Sequence, residues 1–442
     1  MKERSKIEGL TDSISRWQIV IADGTTGNIK TVEDFEDIDL LTLIHRSVKS
    51  DWLIVIETME FRKMELDLVQ DFVFRINRCN KNYFIYIIPE KTAPLEDWRF
   101  DGNCNSFMTR ISTVKKNVKN INVLNISEIC YELSFSILNS KNHTDGFLAV
   151  TLVDSKPIQN NKIPDDDCSI IISHHGKYNY LKTCLFYLED FHHWVYLGFD
   201  IDKGNKIVYA LVNYYKKINC YLSNFNKKGP YGIRHELTVN AKGNLCIFHD
   251  SDDVSCVDRF SEIVSAFKQS DSEFIGSHEV RVDEIEKAVK IFRYPLDVND
   301  ALNKAPRHCL LFPTSAIRKD AYMKAGGFSN YLRFGLDTQF LLRSHFQLKV
   351  RNLDAFLYIR RRRKGSLTTH PKTALGTKIR FECDKQWKED FRKISAGKAE
   401  INKSSIAAFR KHRVELTKIQ ADENSFQRGD TFINRYMEEG GR

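Results

Sequence analysis

The stretch GNLCIFHDSDDVSCVDRF, residues 243–260, shows how the middle of this chain is organised. Its apolar residues 245–248 have the composition of a buried strand. They lead directly into His249-Asp250-Ser251-Asp252-Asp253, which places three carboxylates within four positions. Carboxylates this close repel one another, and each resists burial in its charged form. The sequence therefore predicts a functional cluster at the end of a strand.

Three interpretations of this acidic cluster follow from its residues alone. A divalent cation such as Mg2+ or Mn2+ prefers oxygen ligands and would relieve the repulsion. Asp252, Asp253 and Ser255 also suit the N-terminus of a following helix. The pattern Asp-x-Asp after a strand is also similar to phosphatases of the haloacid-dehalogenase type, in which Asp250 would be the nucleophile. An EF-hand loop is excluded, because Ser255 and Ser261 stand where it needs Gly and Glu.

Strand and helix patterns alternate on both sides of the cluster. Alternation of this kind predicts an α/β domain, residues 165–370, with a parallel sheet. In such sheets ligands bind at the carboxyl ends of the strands, where the acidic cluster lies. The predicted order is strand 168–173, helix 178–191, strand 194–199, helix 204–217, strand 218–223, helix 233–241, strand 245–249 and helix 257–269.

Residues 1–150 carry a similar but weaker pattern. Strands are predicted at 17–23, 51–57, 83–89 and 121–126, with a helix over 62–78. If Leu53 is set on Leu245, Thr58 and Glu60 stand at the positions of Asp250 and Asp252. The hypothesis is a smaller, degenerate α/β copy without metal chemistry, which would bind the acceptor or form a homodimer. An unrelated α/β domain is the alternative, since buried strands resemble one another.

The last region, residues 371–442, is predicted to be helical and basic. Residues 355–442 carry 21 Lys and Arg against 11 Asp and Glu, whereas the whole chain has a net charge of +9. Such a tail suits peripheral contact with acidic lipid headgroups, and a solvated helical face is the alternative. No nucleic-acid partner is expected. The N-terminal residues are polar and the apolar runs are only as long as strands, so neither a signal peptide nor a membrane span is predicted. The ten cysteines are scattered singly, which predicts reduced thiols. We therefore expect a cytoplasmic protein, peripheral at most on the inner face of the cell membrane.

Four segments, in order, resemble the nucleotide-sugar glycosyltransferases of the GT-A fold and family-2 type. This resemblance implies a Rossmann-like mixed sheet flanked by helices, preceded by the smaller α/β domain and followed by the helical tail. The segments are CSIIISHHGKYNYLKTCLFYL (168–188), NKKGPYGIRHELTVNAKGN (226–244), IFHDSDDVSCVDRF (247–260) and AGGFSNYLRFGLDTQFLLR (325–343).

The resemblance also implies roles for individual acidic residues. Asp250 would approach the donor ribose and the metal, and Asp252 would be the principal ligand of Mn2+ or Mg2+. Asp337 would be the general base that takes the proton of the acceptor hydroxyl, a role that typically contributes 10²- to 10⁴-fold. A helix N-cap is the alternative role for Asp337. The family often has an acidic residue just before this base, and here that position is Leu336.

The remaining donor contacts follow from the same resemblance. Ser173 and His174 end the first strand and would lie near the donor base, where Arg234 supplies a basic group. The family's Asp-Asp-Gly-Ser turn is YLGFDIDKGN here, so Asp200 or Asp202 would bind the base. In YIRRRRKGSLTTHP, residues 358–371, the groups expected at the diphosphate are Arg361, Arg363 and Ser366, with His370 as a further metal ligand or phosphate contact.

The expected function is metal-dependent transfer of a sugar from a UDP-, GDP- or dTDP-sugar to a hydroxyl of a glycan or glycolipid acceptor. The resemblance implies inversion at the anomeric carbon, in bacterial polysaccharide, capsule or lipopolysaccharide assembly. Two alternatives stay open. One is the phosphatase with Asp250 as nucleophile, and the other is a catalytically silent scaffold that binds glycan or nucleotide.

Overall fold

The strands and helices come from a computed structural model. It describes residues 17–22, 29–31, 52–57, 83–87, 99–104, 107–110, 126–139, 146–150, 167–175, 178–200, 206–224 and 229–420. The strands are β1 (Trp17–Ala22), β2 (Ile29–Thr31), β3 (Trp52–Glu57), β4 (Tyr83–Ile87), β5 (Arg99–Asn103), β6 (Phe107–Arg110), β7 (Gly146–Val150), β8 (Cys168–His174), β9 (Val195–Phe199), β10 (Asn219–Ser223), β11 (Leu245–Asp250), β12 (Val254–Ser255), β13 (Phe274–Asp283), β14 (Ala288–Arg293), β15 (Ala316–Arg318), β16 (Val350–Arg362) and β17 (Leu416–Ile419).

The helices lie mainly in the central and C-terminal regions. Short 3-10 helices also occur at Glu189–Trp194, Phe312–Thr314 and Ile401–Lys403. The α-helices are α1 (Ile126–Leu138), α2 (Tyr178–Phe186), α3 (Lys206–Tyr214), α4 (Pro230–Asn240), α5 (Arg259–Gln269), α6 (Val298–Lys304), α7 (Lys319–Lys324), α8 (Leu336–Ser344) and α9 (Lys378–Ser395).

The larger sheet has the order β12-β16-β13-β15-β11-β8-β9-β10-β17; β14 also pairs with β13, and β5 pairs with β14. Strands β11, β8, β9 and β10 are parallel, as the alternating pattern predicts. The prediction of an α/β sheet flanked by helices is confirmed. The sheet is mixed, as the resemblance implies, because β15 runs antiparallel to both β11 and β13. Antiparallel strands also close both ends of the sheet.

A second sheet, formed by the N-terminal region, has the order β2-β1-β3-β6-β4-β7. Its pairs are antiparallel except for β4 with β7. The predicted helix over 62–78 and most of the strand over 121–126 lie outside the described residues, and Ile126 itself begins α1. The strands predicted near 17, 52 and 83 are present.

The two sheets share one hydrophobic core. Phe147 of β7 forms a parallel bridge with Cys256, and the N–H of Val257 donates to the Phe147 carbonyl at 2.9 Å. Strand β5 pairs with β14, so a strand of the N-terminal region extends the larger sheet. Buried side chains from both regions fill the space between them, among them Leu53, Phe84, Phe107, Leu133, Val254, Val280, Ile291 and Ile359.

The C-terminal segment differs from the helical prediction after α9. Residues 404–420 are not helical, although the whole region from 371 was predicted to be, and they include β17, which pairs antiparallel with β10. The reason is tertiary. Ile406 and Val414 are buried one at a time in the central core rather than along a helical stripe. The buried amide of Gln339 donates to the carbonyl of Ser405 at 2.8 Å, which holds the segment extended.

The described residues give two further outcomes for the sequence predictions. Nine cysteines form no disulfide in this part of the chain, and eight of them are buried. Their burial is typical of free cysteines, which pack as small apolar residues. None of the helices in the described ranges combines the length and hydrophobicity that crossing a bilayer requires.

Candidate functional site

The acidic cluster lies where β11 ends, at the carboxyl edge of the parallel strands. Asp250 is the last residue of β11 and pairs with Ser173 near the end of β8. Carboxylate oxygens of Asp250, Asp252 and Asp253 all lie within 4.8 Å of one another. The turn after the strand thus brings all three predicted carboxylates to one point. This donor set fits a hard divalent cation such as Mg2+ or Mn2+.

Burial makes the negative charge of this cluster costly. Asp253 is buried, and its pKa is raised well above the usual range by desolvation and then by the charges of Asp252 and Asp250. The backbone N–H of Arg361 offsets part of this cost by donating to Asp253 at 2.7 Å. Desolvation also raises the pKa of Asp250, against the opposing charge of Arg234. A bound cation would stabilise all three carboxylates in their ionised form.

Two arginines from distant segments contact the cluster. Arg234 of α4 forms an ion pair with Asp250, and its Nε donates to the Ser173 hydroxyl at 3.0 Å. Arg363 donates to one oxygen of Asp252 from Nε at 2.9 Å and from Nη2 at 2.8 Å. Guanidinium groups suit phosphate oxygens as well as carboxylates. The edge therefore offers both a cation site and groups that can receive a diphosphate.

His174 and Asp200 lie beside the cluster at the ends of β8 and β9. The Nδ1 atom of His174 is 2.9 Å from the Ser251 hydroxyl. Asp200 is buried, its N–H donates to the His174 carbonyl at 2.9 Å, and its Oδ2 accepts from the Gly229 N–H at 3.4 Å. The other residue predicted to bind the donor base, Asp202, lies outside the described residues.

Gly229 fixes the start of α4 next to Asp200. Its φ is 102°, a backbone conformation that side chains disfavour, and a Cβ there would lie 2.8 Å from the Arg333 Cα. Pro230 then occupies the first turn of the helix, where its missing N–H is not needed. This geometry sets the direction in which α4 presents Tyr231 and Arg234.

Asp337 lies in the first turn of α8 and is half-buried. The residue at the helix cap is Gly335, whose φ of 73° favours glycine, so the alternative role of Asp337 as an N-cap does not apply. The Asp337 carboxylate instead accepts a hydrogen bond of 3.0 Å from the Tyr231 hydroxyl. Helix α4 thereby connects this carboxylate to the acidic cluster.

The guanidinium groups of the arginine run contact different partners. Alternation along the strand separates Arg360 and Arg362 from Arg361 and Arg363, and tertiary contacts separate Arg361 from Arg363. The Arg361 guanidinium donates to the Leu138 carbonyl at 2.9 Å and to Asn139 at 2.8 Å, so it binds the C-terminus of α1. Only its backbone N–H faces the acidic cluster. Arg362 pairs with Asp283 and Arg360 with Glu279, which leaves Arg363 as the member of the run whose guanidinium reaches Asp252.

Ser366 and His370 lie in the turns that follow β16. The Ser366 hydroxyl is 3.0 Å from the hydroxyls of Thr368 and Thr369, in a local network. His370 is exposed, and its Nδ1 accepts from the Lys372 N–H at 3.3 Å. Among the described residues, His370 is not part of the group whose ligand atoms converge. The structure therefore brings the three aspartates together without His370.

Three residues of the site were not predicted from the sequence. Tyr231 precedes Arg234 by three positions, and this helical spacing could have placed both on one face. Tyr358 accepts the backbone N–H of Asp250 at 3.0 Å. Below it, the fully buried Arg259 donates to the carbonyls of Phe248 and Pro313 at 2.8 Å each. Neither Tyr358 nor Arg259 has a local signal for these contacts, because their partners are set by how separate strands and helices pack.

The chain has structural likeness to several solved proteins, although no family model and no curated protein matches it. S. aureus TarS 1–349 in complex with UDP-GlcNAc has a TM-score of 0.40 at 17% identity, covering 54% of this chain and 67% of that one. GalNAc-T7 with UDP, GalNAc and Mn2+ has a TM-score of 0.36 at 12% identity, covering 46% and 45%. At these scores no residue role or substrate transfers to this chain.

Proposed function

We propose that this chain is a metal-dependent, inverting glycosyltransferase that moves a sugar from a nucleotide-diphosphate donor to a hydroxyl of a glycan acceptor in cell-surface polysaccharide synthesis. The observation that carries the proposal is the convergence of Asp250, Asp252 and Asp253 at the carboxyl edge, with Arg234 and Arg363 beside them. A diphosphate brings charge that needs a cation and arginines together. This edge supplies both.

The chemistry divides between two carboxylate groups. Asp337 takes the proton from the acceptor hydroxyl as its oxygen forms a bond to the anomeric carbon. The bond from that carbon to the diphosphate oxygen breaks, and its electron pair stays with the diphosphate. Arg234 and Arg363 face the developing charge, and such preorganised groups lower the barrier. Asp250, Asp252 and Asp253 would hold Mn2+ or Mg2+, which supplies Lewis-acid stabilisation of the departing diphosphate.

Calorimetry with UDP, GDP and dTDP, with and without Mn2+, tests the donor site. We expect one of the nucleotides to bind, and binding to strengthen when Mn2+ is present. Absence of any metal-dependent nucleotide binding would overturn the proposal. The phosphatase alternative predicts release of phosphate from simple esters with a phospho-aspartate on Asp250, and a silent scaffold predicts nucleotide binding without turnover of any donor.

Replacement of the proposed base tests the acceptor half of the site. Asp337→Asn keeps the size of the side chain and removes its basicity. We expect nucleotide affinity to stay at the wild-type value and kcat to fall by roughly 10²- to 10⁴-fold. Calorimetry and product formation, measured on one preparation, separate the two effects. Transfer at the wild-type rate would assign the proton to another residue.

The acceptor side is proposed to meet an anionic membrane surface. Leu375 and Phe381 are 72% and 66% exposed, and the exposed Lys372 and Lys378 lie beside them in sequence. Apolar side chains among lysines suit an interface of anionic lipids. Co-sedimentation with phosphatidylserine vesicles should weaken when Leu375 and Phe381 are both changed to Ser. Phe409→Ser, at another exposed aromatic, is the control, and equal binding by all variants would contradict this contact.

A further inference from the structure

The N-terminal half of α4 and its cap contact three acidic residues around the site. The N–H of Gly229, at its cap, donates to Asp200, and Arg234 pairs with Asp250. Between them, the Tyr231 hydroxyl donates to Asp337 at 3.0 Å. We infer that Tyr231 is the positioning residue of Asp337, and that α4 holds the base and the donor carboxylates in one fixed arrangement. This inference rests on the proposed function.

The position of the Tyr231 hydroxyl is determined by packing. The ring is 6% exposed and belongs to the central core, where its centroid lies 5.4 Å from that of Phe328. The neighbouring Gly232 allows close approach, since a Cβ there would lie 2.7 Å from Val414 and 3.4 Å from Asn330. A tyrosine held in this way has little rotational freedom, and a fixed donor is what precise orientation of a carboxylate requires.

The direction of the hydrogen bond follows from the protonation state of the phenol. Burial, followed by the charge of Asp337, raises the pKa of Tyr231 well above its usual value, so the hydroxyl keeps its proton. It therefore donates, and Oδ1 of Asp337 accepts. Among the described residues, this leaves Oδ2 of Asp337 for the acceptor hydroxyl. Tyr231 would thus fix the rotation of the carboxylate without touching substrate.

Other charged groups around Asp337 come from several elements. Arg234 lies one turn after Tyr231 along α4, and its positive charge faces Asp337. The positive charge of Arg380 in α9 opposes the rise in the pKa of Tyr231. The Nδ1 atom of His308 is 3.3 Å from the Thr338 hydroxyl. Burial lowers the pKa of His308, and the charge of Asp337 opposes that decrease. The charges of Arg360 in β16 and Asp384 in α9 also act on His308. None of these groups is removed by Tyr231→Phe. A changed pH–rate profile in that variant would therefore report the lost phenol hydrogen bond.

The test compares Tyr231→Phe with Tyr322→Phe in the full chain. Tyr322 is equally a buried core tyrosine, but its hydroxyl is 3.0 Å from His235 Nδ1 and accepts the Phe328 N–H. Both variants lose one hydroxyl, so losses of stability should be similar. Circular dichroism and thermal unfolding confirm that each variant is folded before its kinetics are compared.

For Tyr231→Phe we expect kcat to fall about tenfold while the donor KM stays unchanged. We also expect the acid limb of the kcat/KM–pH profile to move up by about one pH unit, because a hydrogen bond donated to a carboxylate favours its ionised form. Tyr322→Phe should keep the wild-type profile. An unmoved acid limb in Tyr231→Phe, or an equal shift in Tyr322→Phe, would overturn the inference.

The two proposals fail in different ways. If the wild-type chain transfers no sugar from any nucleotide donor, the proposed function fails first. If the wild-type chain transfers sugar and Tyr231→Phe matches it in both kcat and pH profile, only the role of Tyr231 is refuted. A Tyr231→Phe variant that loses donor affinity but keeps kcat would also refute it, since that pattern describes donor binding rather than orientation of the base.

Discussion

Strands β3 and β11, WLIVIE and LCIFHD, are both largely apolar and each ends in an acidic residue, but they have different neighbours. Strand β11 runs parallel to β8, which in turn runs parallel to β9, so the carboxyl ends of all three meet at one edge. Strand β3 lies between β1 and β6, and both are antiparallel to it. The carboxyl end of β3 therefore lies beside the starts of its two neighbours.

This difference explains why one of two similar strands carries the candidate site. At the edge of β11, Ser173, Asp200 and Asp250 come from three strand ends, and α4 adds Arg234. A ligand site needs several segments of the chain to place polar groups at one point. Parallel neighbouring strands do this because their carboxyl ends meet at the same edge. The apolar sequence of a strand determines whether it is buried. The direction of its neighbours determines whether polar groups from several segments meet at its carboxyl end.

The largest expected effect is on kcat/KM, and it distinguishes loss of a carboxylate after β11 from loss of a carboxylate at the end of β3. Asp252→Asn removes a carboxylate from the cluster, and we expect a loss of kcat/KM of about 10³-fold, since metal stabilisation contributes several kcal/mol. Glu57→Gln, at the end of β3, should leave kcat/KM within about twofold, because β3 belongs to the other sheet and does not contribute to the acidic cluster. Product formation at a fixed Mn2+ concentration measures both. Equal losses would mean that the cluster has no special role.

A second prediction uses two arginines that lie two positions apart. Arg361→Met removes hydrogen bonds to the C-terminus of α1 and leaves Glu284 without its 3.1 Å partner. We expect a decrease of about 3 kcal/mol in the free energy of unfolding. Arg363→Met should lower nucleotide affinity and change stability by less than about 1 kcal/mol. Urea unfolding and calorimetry distinguish these outcomes, and the reverse pattern would contradict the geometry.

The smallest effect concerns pH. The described strands of the N-terminal sheet contain no histidine, whereas the central region buries several. Burial lowers the pKa of His235 to about 4, so the unfolded chain binds its proton at a higher pH than the folded chain does. Stability should therefore fall as pH decreases from about 6.5 toward 4. Between pH 7 and 5 we expect this group to contribute about 2 kcal/mol of that loss.

Urea unfolding at both pH values, on wild type and His235→Gln, isolates this contribution. The variant should lose about 2 kcal/mol less than wild type over the same interval. An identical pH dependence in the two proteins would mean that His235 does not titrate differently on folding. His249, whose pKa is also lowered by burial to about 3, remains in both proteins and cancels from the difference.

Local patterns in the sequence predicted part of this architecture. The strand that ends at Asp250 and the helices around it follow from apolar spacing and from turn residues, which act within one segment. Strand β15 inserts antiparallel beside β11, and β17 pairs with β10. Both pairings depend on segments distant in the chain, so no local pattern predicts them. The hydrogen bond from Tyr231 to Asp337 spans 106 positions and is equally invisible to local patterns.

The sequence alone also did not predict which partners the arginine side chains of the run contact. The arginine run was expected to send two guanidinium groups to the diphosphate, Arg361 and Arg363. Alternation does not separate these two residues, which are two positions apart and both pack on the Tyr180 ring. Their different partners depend on where α1 and the acidic cluster lie against the end of β16. Conversely, the clustering of Asp250, Asp252 and Asp253 needed no long-range information, because one tight turn brings them together.

The bridge between Phe147 and Cys256 has a consequence for how the chain is made. During synthesis the N-terminal sheet leaves the ribosome first, yet part of its core is supplied by residues such as Val280 and Ile359. At about 5–20 residues per second, those residues follow on the order of tens of seconds later. Until then, the apolar face formed by Phe84, Phe107 and Phe147 lacks its cover, and a chaperone bound to nascent chains would find its target there.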